Sequence, residues 1–313
     1  MSEQHESEPR GPERQGVLVM AYGTPKGPEE VEAYYTDIRG GRPPPADLLD
    51  ELKSRYAAIG GRSPLLEITT AQARGIEERL GVRAYLGQKH AAPFIDDAVA
   101  NMAADGVETA AGLVLAPHFS TMSVADYEGR ARAAAERAGW KGSLTVIPSW
   151  HLEPGYISWL GERVVEARDS LARPCREAAT IVFSAHSLPE RILERGDPYP
   201  DQLAATAGAV AAQVGLERWM VGWQSAGRTE QRWLGPDILE VMDSLSKAGA
   251  KGVVVCPCGF VADHLEVLYD LDIEAKVAAD KLGLAFARTR SPNADPQFLD
   301  VVAAIVARPL NAA

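Results

Sequence analysis

The 313-residue sequence predicts an α/β fold of two similar halves, each a doubly wound domain built on a parallel sheet. Strand-like apolar runs alternate with helical patterns from end to end, the runs are continuously apolar, and two pairs of segments repeat. Continuous apolar strands are typical of parallel sheets that helices cover on both faces. We expect a disordered tail at 1–15, a first domain at 16–150 and a second at 151–313, whose last helix packs back on the first.

The elements follow one another in a regular order along the chain. The predicted strands are GVLVMAY from 16, VRAYLG from 82, AGLVLA from 111, SLTVIP from 143, TIVFSAH from 180, WMVGW from 219, GVVVCP from 252 and a weaker one near Leu284. The clearest helical patterns between them are PEEVEAYYTDI, ADLLDELKSRYAAI, PFIDDAVANMAADG and PDILEVMDSLSKAG.

The internal repeat predicts where a ligand binds. VLVMAYGTP from 17 resembles TIVFSAHSLP from 180, and VLAPHFSTMS from 114 resembles VVCPCGFVAD from 254. The seam between the halves falls near 148–154, where tryptophan, histidine and proline interrupt the pattern. In doubly wound sheets, ligands collect beyond the carboxyl ends of the strands. Because all four repeated segments end strands, we expect their loops to meet in one cleft.

Composition and charge exclude several classes of protein. The formal net charge of -11 disfavours a nucleic-acid binder and suits cations. No apolar run is long enough to span a bilayer, and the polar amino terminus lacks the apolar core of a secretory signal. Three cysteines are too few for a disulfide framework, so the expected location is the cytoplasm. Cys256 and Cys258 end an apolar run, which is typical of buried structural thiols.

Common site motifs are absent from the sequence. It has no G-x-G-x-x-G after the first strand, no G-x-x-x-x-G-K-[ST] and no H-E-x-x-H. The sequence therefore gives no direct support for a dinucleotide-binding protein, a P-loop nucleotide-binding protein or a zincin metalloprotease. The segment GWQSAG lacks the glycine two residues before Ser225 that a nucleophile elbow carries. We interpret it as a turn after a strand.

Three carboxylates lie four residues apart in GFVADHLEVLYDLDIEAK, at Glu266, Asp270 and Glu274. If this segment is helical they share one stripe, although like charges at this spacing repel. A parallel apolar row predicts that the stripe borders packed protein, and its members are Leu265, Tyr269, Ile273 and Val277. A row of hard oxygen ligands favours cation handling, and a solvated helix face is the alternative.

His186 ends a predicted buried strand at the edge where the second-half cleft is expected. If the loops after the strands at 180 and 252 face each other, His186 and Glu266 approach across one cleft. Neutral imidazole with a carboxylate suits a ferrous or similar divalent ion, or an acid/base pair that removes protons. A packed, hydrogen-bonded core histidine is the alternative.

From about Gly16 to the end, the chain resembles the ferrochelatase family. The resemblance rests on MAYGTP, YYTDIRGGRPP, SPLLEIT, LAPHFST, FSAHSLPERILERGDPYPDQL, VGWQSAG with WLGPD, and GFVADHLEVLYDLDIEAK. It implies insertion of ferrous iron into a porphyrin held between two Rossmann-like, chelatase-like domains. The ending MAYGTP, with Tyr22, is similar to the Gram-positive form that acts on coproporphyrin III. Protoporphyrin IX, a chelatase for cobalt or nickel, and a non-catalytic haem or porphyrin carrier are the alternatives.

The resemblance also implies roles for single residues. His186 and Glu266 match the metal-site pair, which we expect to accept pyrrole protons and to hand over the cation. Tyr22 matches the tyrosine on the opposite side, the axial contact to iron in the product. Asp270 and Glu274 match an acidic approach path for the metal. Further positions that match porphyrin contacts are Ile38, Arg39, Arg55, Tyr56, Ser63, His90 and Tyr127.

Cofactors and partners follow from the same resemblance. Ferrous iron is a substrate, and no permanently bound cofactor is expected. An iron–sulfur cluster is not expected either, because the chain lacks the cysteine-rich extension that holds one in some relatives. The expected partners are the porphyrin and iron, with transient contact to the next haem-pathway enzyme, and the expected state is a monomer. One departure is Gly40, where relatives can carry another arginine.

Overall fold

A computed structural model describes residues 14–312 of the chain. Residues 1–13 of the predicted tail lie outside the described residues, and Gln15 already begins the first strand. Within the described range the chain forms two four-stranded sheets in which every neighbouring pair of strands is parallel. No helix in this range is long and apolar enough to cross a bilayer.

The two sheets have the same strand order. The first has the order β2-β1-β3-β4 and the second the order β6-β5-β7-β8. The strands are β1 (Gln15–Ala21), β2 (Ala84–Gln88), β3 (Thr109–Val114), β4 (Ser143–Val146), β5 (Ala179–His186), β6 (Trp219–Gln224), β7 (Gly252–Cys256) and β8 (Ala285–Arg288). All eight predicted strands are present, and the repeated order confirms the predicted α/β fold of two similar, doubly wound halves.

Helices cover both faces of each sheet, as the continuously apolar strands require. The α-helices are α1 (Val31–Ile38), α2 (Ala46–Ala58), α3 (Leu65–Leu80), α4 (Ile95–Ala104), α5 (Val124–Ala138), α6 (Pro154–Asp169), α7 (Arg173–Glu177), α8 (Tyr199–Val214), α9 (Ile238–Lys247), α10 (Lys276–Leu282) and α11 (Pro296–Asn311). Short 3-10 helices span Pro28–Glu30 and Glu190–Arg195, and a π-helix spans Val267–Ala275.

One hydrophobic core joins the two halves, and each half has a second core of its own. The shared core takes one face of both sheets, with Val19 and Leu113 from the first and Phe183 and Val254 from the second. Helix α11 contributes Phe298 to it and contacts both α3 and β3 of the first half. The proposed boundary at residues 150 and 151 lies in the connection between β4 and α6.

The segment with the acidic stripe differs from the prediction in two ways. Its hydrogen bonding over Val267–Ala275 is that of a π-helix, a rare form that is frequent at functional sites. The predicted apolar row is not the buried one, since Val277 is 47% exposed while Val267 and Leu271 are fully buried. The segment carries two apolar rows of the same spacing, and the core against β7 takes the row of Val267, Leu271 and Ala275.

Cys256 and Cys258 are both fully buried and free. Cys256 ends β7, whereas Cys258 lies beyond the strand and donates weakly to the Ser184 carbonyl at 3.8 Å. Burial raises the pKa of the Cys258 thiol well above its ordinary value, so it stays protonated. Both thiols therefore behave as small packed residues.

Candidate active site

A cavity of about 540 Å³ opens between the carboxyl ends of the two sheets. Its walls come from the loops that follow β1, β3, β5, β6 and β7 and from helices α1, α2 and α3 of the first half. All four repeated sequence segments contribute to them. In each sheet the central strands β1 and β3, or β5 and β7, have connections that leave in opposite directions. Ligands bind at such switch points in doubly wound folds. The predicted cleft is therefore present at the predicted edge.

His186 and Glu266 meet on the second-half wall of this cavity. His186 ends β5 and Glu266 immediately precedes the π-helix, and the His186 Nε2 atom lies 3.4 Å from Glu266 Oε1. The other carboxylate oxygen of Glu266, Oε2, lies 3.4 Å from the Nε2 atom of His264. A cation entering between His186 and Glu266 therefore meets one imidazole and one carboxylate. Within residues 14–312, no three or more His, Cys, Asp or Glu side chains form a ready-made metal cluster.

The pair is charged in the free protein, which differs from the neutral imidazole that we expected. Burial alone disfavours the imidazolium, but the charge and hydrogen bond of Glu266 outweigh it and raise the pKa of His186 to about 9. Burial likewise disfavours the Glu266 carboxylate, but His186 and His264 outweigh that effect and hold its pKa well below the ordinary value. His186 must therefore lose a proton before it can accept one.

Backbone contacts fix the orientation of the His186 ring. Its Nδ1 atom donates to the carbonyl of Ser187, which leaves Nε2 facing Glu266. The hydroxyl of Tyr199 donates to the carbonyl of His186 itself at 3.0 Å. These bonds hold the strand end that carries the imidazole and select which ring nitrogen faces the cavity.

Tyr22 lies on the first-half wall, where the chain leaves β1. Its side chain is 43% exposed, and its ring meets the ring of His90 edge-on at 4.7 Å. The Lys89 ammonium lies 6.0 Å from the same ring. Burial within the cleft and the nearby Glu266 charge raise the pKa of Tyr22 above its ordinary value, so the phenol is neutral.

The predicted porphyrin contacts divide into two groups. Those that line the cavity are Ile38, Arg55, Tyr56, Ser63 and Tyr127. Arg39 and His90 are not among the lining residues. His90 is buried behind Tyr22, and its Nδ1 atom lies 2.6 Å from Asp37 Oδ2. The Arg39 guanidinium lies 5.9 Å from the ring of Tyr35, and its Nε atom is buried without a partner.

Arg55 joins the two halves across one end of the cavity. Its Nε atom lies 3.4 Å from Glu51 on the same helix, and its Nη1 atom lies 3.4 Å from Asp270 on the π-helix. The guanidinium also lies 4.8 Å from the ring of Tyr269. The free protein therefore engages this arginine with the acidic row.

The acidic row runs from the cavity into the second half. Glu266 lines the cavity, Asp270 is 9% exposed, and Glu274 is half-buried. Asp270 accepts a hydrogen bond from the Ser225 hydroxyl at the end of β6. Burial is the main cause that raises the pKa of Asp270 to about 7, and the charges of Glu266 and Glu274 add to it. Partial protonation and Arg55 together relieve the repulsion along the row.

Sequence reasoning missed three side chains of this site. His264 flanks Glu266, and the signal was its place two residues earlier in the same motif. Lys89 lies against Tyr127, with its ammonium 5.2 Å from the ring and 2.7 Å from Asp126. Glu51 lies at the cavity wall between two arginines, a position that no sequence spacing reveals.

Comparisons with known proteins agree with this fold and identify the family. A model of the family described as Ferrochelatase matches residues 14–310. The Coproporphyrin III ferrochelatase of Anoxybacillus flavithermus is 49% identical over 299 residues, which cover 93% of this chain and 95% of the relative. The protein of the same name from Bacillus subtilis is 48% identical over 305 residues, which cover 95% of this chain and 98% of the relative.

A solved structure extends the likeness beyond detectable sequence similarity. The sirohydrochlorin chelatase SirB from Bacillus subtilis subspecies spizizenii, in complex with cobalt, superposes with a TM-score of 0.61 at 9% identity. The superposition covers 95% of this chain and 96% of that one, and it shows a shared fold. From the family match over residues 14–310 and relatives close to half identical, the chain belongs to the ferrochelatase family of metal-inserting enzymes.

Proposed function

We propose that this protein inserts ferrous iron into coproporphyrin III to give Fe-coproporphyrin III (coproheme) in haem biosynthesis. The names of its relatives support the choice of porphyrin. The observation that carries the proposal is the pairing of His186 with Glu266 at 3.4 Å on one wall of a cavity whose opposite wall presents Tyr22. An asymmetric cleft of this kind offers a different chemistry to each face of a flat macrocycle.

The reaction requires two protons to leave the porphyrin as iron enters. Free porphyrin carries two pyrrole N–H groups, and the product carries iron in their place, so each turnover releases two protons. His186 begins as an imidazolium held by Glu266. When Fe²⁺ reaches Glu266 it neutralises the carboxylate, which lowers the pKa of His186 and frees its proton. The neutral imidazole then accepts the pyrrole protons in turn and passes them to solvent.

Tyr22 acts from the other face of the macrocycle in this proposal. Its neutral phenol provides an oxygen that contacts iron in the product as an axial partner. Clamping the ring between Tyr22 and the His186 wall favours a puckered porphyrin, in which the pyrrole nitrogens point toward the incoming ion. Ile38, Arg55, Tyr56, Ser63 and Tyr127 contact the ring or its carboxylates directly. Arg39 and His90 do not line the cavity, so Arg39 must turn toward the ligand to reach a carboxylate, and His90 acts through the ring of Tyr22, which it meets at 4.7 Å.

The acidic row supplies iron to the pair. Glu274 and Asp270 attract the hydrated ion and replace its water with oxygen ligands step by step on the way to Glu266. Because Asp270 is already engaged by Ser225 and Arg55, an arriving ion competes with these partners and is held less firmly than at a free carboxylate. A row of intermediate affinity moves a cation better than one strong site does.

The remaining parts of the proposal concern the state of the protein. Iron is a substrate, and we propose no permanently bound cofactor and no iron–sulfur cluster. We further propose a cytoplasmic monomer with domains at 16–150 and 151–313, which contacts the next haem-pathway enzyme transiently and binds no nucleic acid.

Anaerobic turnover tests this function directly. The protein is mixed with ferrous iron and a molar excess of coproporphyrin III or protoporphyrin IX, and the porphyrin spectrum is followed. We expect many turnovers, with a higher kcat/KM for coproporphyrin III. Faster use of protoporphyrin IX would overturn the porphyrin assignment, and preference for cobalt or nickel would overturn the iron assignment. Stoichiometric binding without turnover would identify a carrier.

A further inference from the structure

Arg228 lies at the cavity wall on the loop that follows β6 in the second half. Its guanidinium is ion-paired with Glu51 of helix α2 in the first half, and the side chain is 63% exposed. The loop is held in place at both ends, because Ser225 donates to Asp270 and Leu234 N donates to the Leu188 carbonyl at 2.8 Å. Arg228 therefore projects from a supported loop at the junction of the two halves.

Two arginines share one carboxylate at this junction. Glu51 is shared by two arginines, since its Oε1 atom lies 3.4 Å from Arg55 Nε while its Oε2 atom pairs with Arg228. The other partner of Arg55 is Asp270, which does not line the cavity. Glu51 and its two partners, Arg55 and Arg228, all line the cavity. In a chain of net charge -11, this local positive excess faces the ligand space.

The Glu51–Arg228 pair can be exchanged at small cost. Ion pairs between exposed side chains contribute about 0–1 kcal/mol, because water screens them and both chains lose rotamer freedom. A ligand carboxylate that reaches Arg228 can take two parallel N–H···O bonds from the planar guanidinium. The exchange therefore replaces a weak pair with a bidentate one while Glu51 keeps Arg55 as its partner.

Of the two arginines that match porphyrin contacts, only Arg55 lines the cavity, so a four-carboxylate porphyrin needs further cationic partners. We propose that Arg228 forms a carboxylate subsite of the cavity, where one propionate of the bound porphyrin displaces Glu51. This inference rests on the proposed function for the identity of the ligand and extends it by naming the residue and its competitor. Because the subsite belongs to the second half while Arg39 and Arg55 belong to the first, the porphyrin then ties both halves together.

Binding of coproporphyrin III without iron tests this subsite separately from turnover. The quenching of porphyrin fluorescence gives Kd for the unchanged protein and for Arg228→Ala, Arg228→Lys and Arg232→Ala. Arg232 is the matched control, because it is exposed on the same loop and does not line the cavity. We expect Arg228→Ala to raise Kd about three- to ten-fold, and Arg228→Lys to raise it less because lysine keeps the charge and loses the fork. Arg232→Ala should leave Kd unchanged.

Glu51→Gln should change the Kd for coproporphyrin III in the opposite direction. Removing the competing carboxylate frees Arg228, so Kd should fall, and the effects of both substitutions should shrink in high salt. An Arg228→Ala protein with Kd within twofold of the unchanged one overturns the subsite, as does a Glu51→Gln protein that binds more weakly. An unchanged protein that binds coproporphyrin III yet never metallates it overturns the proposed function and leaves this test intact. Failure of the unchanged protein to bind the porphyrin contradicts both.

Discussion

At the scale of single residues, the charge of His186 governs the proposed chemistry. The ion pair with Glu266 stabilises the His186 imidazolium. While it is intact, His186 cannot act as a base and the paired oxygen of Glu266 is not free to bind a metal ion. Metal arrival and deprotonation are therefore linked, because a cation at Glu266 removes the interaction that keeps the proton on His186. This order of events protects the base until iron is present.

Replacing His186 with alanine tests the role of the imidazole. We expect His186→Ala to lower kcat at least 100-fold, since a positioned acid or base contributes roughly 10²–10⁴-fold to a rate. The protein should remain folded, because the His186 ring is partly exposed at a strand end and not part of a core cluster. Anaerobic turnover and a thermal unfolding curve give the two quantities.

A matched control for this substitution is His151→Gln. His151 is a half-buried histidine in the connection between β4 and α6, and it does not line the cavity. It should keep turnover near that of the unchanged protein. A His186→Ala protein that is folded and retains a near-normal rate would refute the proton-accepting role.

At the scale of elements, the π-helix positions the acidic row. Its hydrogen bonds reach one residue further along the chain than those of an α-helix, so the backbone of this turn is wider. The core takes Val267, Leu271 and Ala275, and the carboxylates of Glu266 and Asp270 are thereby directed toward the cavity and Arg55. The same segment thus serves packing on one side and charge on the other.

Neutralising the row tests whether it delivers iron. The double substitution Asp270→Asn with Glu274→Gln should raise KM for ferrous iron about three- to ten-fold, because two oxygen ligands lose their charge. The KM for the porphyrin should not rise, since neither side chain lines the cavity and Asp270→Asn only loosens the hold on Arg55. Steady-state kinetics with iron and porphyrin varied independently separate the two effects.

The control for the acidic row removes the same charge elsewhere. Asp243 and Asp280 form surface ion pairs with Lys247 and Lys276, at 2.5 Å and 2.6 Å, on neighbouring helices. Asp243→Asn with Asp280→Asn therefore matches the change in net charge without touching the row. An iron dependence that is equal in both double variants would show that net charge, and not a path, attracts the metal.

At the scale of the whole molecule, Asp197 fastens the two halves beside the cavity. Its Oδ2 atom accepts hydrogen bonds from Ser120 Oγ at 3.0 Å, Thr121 N at 2.7 Å and Thr121 Oγ1 at 2.6 Å, all on the loop after β3. Its Oδ1 atom accepts from Tyr199 N at 3.1 Å, and the Tyr199 hydroxyl in turn holds the His186 carbonyl. One carboxylate therefore connects the first-half wall to the strand end that carries His186.

The pH dependence of stability tests this connection. Burial disfavours the Asp197 carboxylate, but its hydrogen bonds with Thr121, Tyr199 and Ser120 outweigh burial and lower its pKa. A lowered folded pKa stabilises the protein above the unfolded pKa of about 3.9, and this stability is lost as pH falls through the folded value. Asp197→Asn should therefore reduce the free energy of unfolding by about 1–3 kcal/mol at pH 7. The deficit should shrink below about pH 4.

Urea unfolding at a series of pH values measures this difference. Asp201→Asn is the control, because Asp201 is exposed in the first turn of α8, which begins two residues after Asp197. It should change stability by no more than about 0.5 kcal/mol at any pH. A deficit for Asp197→Asn that stays constant as pH falls, or is absent at pH 7, would contradict the role of its charge.

The sequence predicted the sheets and the central pair because those depend on patterns along the chain. Continuous apolar runs identified all eight strands, and the repeat placed His186 and Glu266 at one edge, where the structure brings them to 3.4 Å. The direction of Arg55 toward Asp270, and the burial of His90 behind Tyr22, depend on how the halves pack and on side-chain rotamers. No spacing along the sequence encodes those contacts.

The two apolar rows of the acidic segment show the same limit. Leu265, Tyr269 and Ile273 form a row as regular as that of Val267 and Leu271, and only the surface of β7 and its neighbours decides which row is buried. Local periodicity therefore predicts that a helix forms and leaves its orientation to the tertiary structure.

The central claim is that the porphyrin lies in the cavity between the halves, with Tyr22 on one face and His186 with Glu266 on the other. A crystal structure of the protein with Fe-coproporphyrin III bound tests it most directly. We predict that the ring fills the cavity, that the Tyr22 hydroxyl lies within bonding distance of iron, and that His186 lies on the opposite face of the macrocycle. A porphyrin bound outside this cavity, or with Tyr22 and His186 on the same face, would contradict the claim.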